Sequence, residues 1–99
     1  MSNQYKKAVI DDVESNGINE GLQENLLDLF ESSMKKAATT LIHSAELYTT
    51  DFFTSKERGC DGFKLSIKRI FKDSRNAWHG VFQKDNIKLT VIGHLEECN

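Results

Sequence analysis

From Leu22 to Phe52 the chain carries an apolar residue at almost every helical turn: Leu22, Leu26, Leu29 with Phe30, Met34, Ala37, Leu41, Ala45, Tyr48 and Phe52. Eight steps over thirty residues average about 3.75, close to the 3.6 of an α-helix. No proline interrupts the run. An unbroken helix of this length would be a rod of roughly 45–50 Å at ~1.5 Å per residue, longer than a compact domain of this size is wide. Either the helix projects and pairs with a partner, or it breaks. Thr39-Thr40 is the expected break, because β-branched hydroxyl residues are weaker helix formers. Two packed helices are the favoured reading; an unbroken 22–52 stripe would instead predict a homodimer through it.

Before this run, residues 3–15 read as a short amphipathic helix, with Tyr5, Val9 and Val13 four apart and Gly17 placed to end it. A first strand over Tyr5–Ile10 is the alternative. After Gly59 the texture changes. Phe63, Leu65 and Ile67 alternate with Lys64, Ser66 and Lys68, which is strand periodicity. Asp73-Ser74-Arg75-Asn76 supplies turn chemistry, Ala77–Gln83 is a second candidate strand, and Ile87–Ile92 follows a tight Lys84-Asp85-Asn86 connection. Phe63, Ile67, Ile70, Phe71, Ser74 and Trp78 also fit a helical face, so periodicity alone leaves 63–76 open. The expected fold is α+β in a single domain over 1–99. Its helical N-terminal half (1–58, two or three helices) packs on a three-stranded antiparallel β-meander (62–96).

Composition adds a division of charge. Residues 1–55 carry nine acids and four bases, whereas residues 56–99 carry six acids and nine bases. Between Ala8 and Met34 stand Asp11, Asp12, Glu14, Glu20, Glu24, Asp28 and Glu31 with no base among them. Two cysteines are too few for a disulfide-stapled secreted domain, and neither a membrane-length apolar run nor a signal-like start is visible, so a cytoplasmic location is expected.

Few residues suggest chemistry. Cys60, His79, His94 and Cys98 are the ligand types of a zinc site, but only His94 and Cys98 are near neighbours, and fingers need two close pairs. A Cys60–Cys98 disulfide is disfavoured by the expected reducing compartment. Asp11, Asp12 and Glu14 lack the spacing and glycine of a calcium loop. His43 reads as a structural histidine, and neither a nucleophile elbow nor a phosphate-binding glycine loop occurs. No enzyme, metal or cofactor is expected. The basic segment Lys64, Lys68, Arg69, Lys72 and Arg75, with Phe71, Trp78 and Phe82 nearby, is the pattern of a single-strand or RNA binder. The sequence pI of 5.9 weighs against it.

The stretch Arg75–Glu97, especially Asp85-Asn86-Ile87-Lys88-Leu89-Thr90-Val91-Ile92-Gly93-His94, resembles the closing hairpin of RelE/ParE-type small toxins. That resemblance covers about a quarter of the chain. It implies helices followed by an antiparallel sheet and, in the ribonuclease members, basic residues across the sheet. Leu95-Glu96-Glu97 is acidic where such toxins continue with basic residues, so a ribonuclease is only the third reading. The leading expectation is a non-enzymatic interaction protein: an inhibitor of the immunity-protein, antitoxin or phage anti-defence type. Its seven N-terminal acids would steer and dock onto a basic protein partner. A nucleic-acid-binding regulator using the 64–75 segment is the second reading.

Overall fold

A computed structural model describes residues 5–40, 47–52, 59–72 and 75–97. In chain order they form β1 (Tyr5–Asn16), α1 (Glu20–Thr40), β2 (Leu47–Phe52), β3 (Phe63–Lys72), β4 (Arg75–Lys84) and β5 (Ile87–Glu97). The strands make one antiparallel sheet in the order β1-β5-β4-β3-β2, with α1 packed across one face. The α+β class holds, and the expected meander is present as β3–β4–β5. The helical N-terminal half does not form; it is one helix between two strands, which add an edge on either side of the meander.

Both corrections have the same physical origin. A spacing of four residues returns to the same side of a helix and also, being even, to the same side of a strand. Tyr48 and Phe52 pair with Ile67 and Phe63, two core positions of β3, and β2 is rich in β-branched and aromatic residues that favour a pleated surface. The helix ends at Thr40, at the expected Thr39-Thr40 break, while residues 41–46, His43 included, lie outside the described residues. At 21 residues α1 measures about 32 Å and fits the 37 Å long axis of the molecule.

In β1 a bulge hides the alternation. Ala8 and Ile10 stand opposite Leu95 and Gly93, in the rows that face α1. Asp11 is then the extra residue between Ile10 and Asp12, and Val13, opposite Val91, becomes the next inward position. One inserted residue reverses which parity points inward, so a strict period of two never shows in the sequence. Gly17, at φ 78°, turns the chain out of β1 instead of ending a helix. Asn19 caps α1: its Oδ1 accepts the Leu22 N–H at 2.8 Å, and Glu20 places a carboxylate in the first turn.

The core lies between α1 and the sheet. Leu26, Phe30, Met34 and Ala37, one stripe of the helix, are fully buried against Phe63, Leu65 and Ile67 of β3, Trp78 and Phe82 of β4, and Leu89, Val91 and Leu95 of β5. Part of the stripe that suggested self-association is therefore used within the protomer. Phe30 sits over two glycines, Gly80 of β4 and Gly93 of β5. A Cβ at Gly80 would run into the Phe30 ring, and one at Gly93 would stand 2.7 Å from the Val9 carbonyl oxygen and 3.1 Å from the same ring. Neither glycine has a positive φ, so both are required for space. Gly80→Ala is expected to cost about 1–3 kcal/mol in urea unfolding, the usual penalty of overpacking. Phe30→Leu should recover part of that loss in the double variant, because it removes the atoms the new methyl strikes.

Candidate functional site

The sheet's second face has no helix over it. Strand register arranges its residues in rows that run across β1, β5, β4 and β3: Val9–His94–Ala77–Ile70, then Asp12–Ile92–His79–Lys68, then Glu14–Thr90–Val81–Ser66. Val9, Ile70, Ala77, Val81 and Ile92 are partly exposed and are absent from the hydrophobic cluster beneath α1. They form a contiguous apolar band. Asp12 and Glu14 lie exposed on the β1 side of it, and Lys64 and Lys68 lie exposed on the β3 side.

Within the first row the bulge delivers a titratable cluster. His94 Nδ1 lies 2.7 Å from Asp11 Oδ2 and His94 Nε2 lies 3.1 Å from Glu96 Oε2. Both acceptors are carboxylates, so the ring satisfies both contacts only as imidazolium, with each N–H donating. The His94 side chain is 10% exposed, against 38% and 48% for Asp11 and Glu96. Its pKa is raised, first by the hydrogen bond to Asp11 and next by that to Glu96, with burial opposing. The neighbours Val9 and Ala77 are uncharged, and His79 is the next titratable group on β4. The arrangement is a clamp between β1 and β5. With both ring nitrogens occupied, His94 offers no lone pair to a proton or a metal.

The remaining candidate residues are separated. Cys60 is buried in the core, on the other side of the sheet from His79 and His94, and Cys98 lies outside the described residues. No group of three His, Cys, Asp or Glu among the described residues could hold a metal ion. Of the basic set, Lys64 and Lys68 occupy the open face, but Arg69 is buried on the α1 side with its guanidinium 4.7 Å from the Trp78 ring centre. Trp78 and Phe82 are fully buried, so they are core residues and not stacking platforms. Lys72 and Arg75 pair with each other at the β3–β4 end.

The seven acids divide three ways. Asp11 is tied to His94, and Asp12 and Glu14 border the open sheet face. Glu20, Glu24, Asp28 and Glu31 recur every three or four residues along the side of α1 that faces away from its core stripe. Sequence reading singled out His94 and Asp11 separately and missed Glu96. The His94–Glu96 spacing of two, one face of a strand, was the available signal; the Asp11 contact spans 83 positions and depends on the bulge.

The clamp sets a pH dependence. Free histidine titrates near 6.5, and the folded value lies higher, so the clamp contributes fully below about pH 6.5 and is lost as pH rises through the folded value. Wild-type melting temperature should therefore fall between about pH 6 and pH 9, and His94→Gln should lack that part of the fall. A wild-type curve no steeper than the variant's would refute the clamp. No protein-family model, curated protein or solved structure matches this chain, the RelE/ParE-like hairpin included.

Proposed function

We propose that this is a non-enzymatic interaction protein of the cytoplasm, an inhibitor of the immunity-protein, antitoxin or phage anti-defence type, which occludes a basic protein partner. The observation that carries the reading is the acidic ridge of α1. Glu20, Glu24 and Asp28 are exposed, Glu31 is half-buried, and no base lies between them over three turns. A single-sign ridge on a rigid element attracts a basic surface at long range and so raises the association rate more than the final affinity. Asp12 and Glu14 lie on the opposite layer and would not share that contact.

A nucleic-acid regulator is the second reading, supported by Lys64 and Lys68 side by side on the open face. It has less behind it, since Arg69 and the aromatics of the same segment turn toward the core.

Two measurements separate these readings. With a basic partner captured from the native host, the combined variant Glu20→Gln, Glu24→Gln, Asp28→Asn, Glu31→Gln should slow association on the order of tenfold at low salt. Asp12→Asn with Glu14→Gln should leave the rate nearly unchanged; equal rates for all three proteins would remove the ridge from the mechanism. Titration with mixed single-stranded oligonucleotides should give no binding at low salt, whereas salt-dependent binding would favour the second reading.

A further inference from the structure

We propose that the open face of the sheet is a self-association surface, occupied by the same face of a second copy about a two-fold axis parallel to the strands. Val9, Ile70, Ala77, Val81 and Ile92 make an apolar centre there, although an antiparallel sheet left to water commonly carries polar residues on its outer side. The described side chains of this face include no aromatic ring, which leaves nothing for a base to stack on.

Charge selects the occupant and its orientation. The face is acidic at the β1 side, through Asp12 and Glu14, and basic at the β3 side, through Lys64 and Lys68. A two-fold axis perpendicular to the strands would stack β1 on β1 and set acid against acid. An axis parallel to the strands stacks β4 on β4, β5 on β3 and β1 on β2. Asp12 and Lys68 end the same row, Asp12–Ile92–His79–Lys68, so this axis brings each Asp12 beside the other copy's Lys68. The contact is isologous, and the pair forms twice. Lys64 and Lys88 of opposite copies meet only in the end row, where both ammonium groups reach water.

The size is adequate. Strands ~4.8 Å apart with a rise of ~3.3 Å per residue give five strands of about eight residues a planar footprint of roughly 500–600 Å². Standing side chains bring the accessible area toward the ~800 Å² per partner of an ordinary interface. Sheets stacked face to face lie about 10 Å apart, as in a β-sandwich. This pairing is independent of the proposed function, and it would leave both acidic α1 ridges on the outside.

Sedimentation of the full chain from about 1 to 200 µM tests the proposal, with far-UV circular dichroism confirming the fold of each variant. A reversible monomer–dimer equilibrium is expected. Asp12→Lys and Lys68→Asp, both at exposed positions, should each weaken the dimer on the order of tenfold or more, and the double exchange should restore it to within about threefold. Ile92→Asp should abolish it. A monomer at every concentration overturns the proposal, as does a double exchange no better than the single ones, or a dimer indifferent to Ile92→Asp.

Discussion

The seating of Phe30 over Gly80 and Gly93 is the contact on which the architecture depends. A helix packed on a sheet normally rests on side chains from both layers; here the centre of the sheet offers bare backbone to one aromatic ring. Gly80 and Gly93 belong to adjacent central strands, so the seat exists only when β4 and β5 are paired in register. Helix placement and strand register are thereby one event. Leu26 and Met34, one helical turn to either side, then reach the remaining inward rows.

The bulge at Asp11 is the second organising feature. It changes the parity of β1, so that Ala8 and Ile10 before it and Val13 after it all reach the core. It also sends Asp11 to His94, tying the edge strand to its neighbour by a charge-assisted bond. Edge strands commonly carry bulges and charges that discourage unwanted pairing, and β1 has two register irregularities besides Asp12 and Glu14. The same local feature serves packing, attachment and protection.

The sequence was legible where one period dominated. The strict alternation from Phe63 to Lys68 and the run Ile87–Ile92 gave strands at the right places, and Thr39-Thr40 marked the helix end. It misled where apolar residues stood four apart, since Tyr48–Phe52 satisfies helix and strand alike. In β1 the inserted residue erased the alternation altogether. The candidate residues were legible as types and not as groups. Nothing local says that Arg69 turns inward to Trp78 while Lys68 turns outward, beyond the strand assignment that the helical alternative left open.

The sheet order has a consequence for how the chain acquires its structure. The first strand lies beside the last, so β1 has no neighbour in the sheet until β5 has been made. About seventy residues separate Asn16 from Ile87, and at roughly 5–20 residues per second their synthesis takes on the order of 4–14 s. Through that interval α1 carries Leu26, Phe30 and Met34 without the β4–β5 pair that covers them. Pairings this distant in sequence also slow folding, because loop closure must be met before any contact rewards it. On the ribosome this is a protein finished all at once, with its central aromatic ring exposed until the final strand arrives.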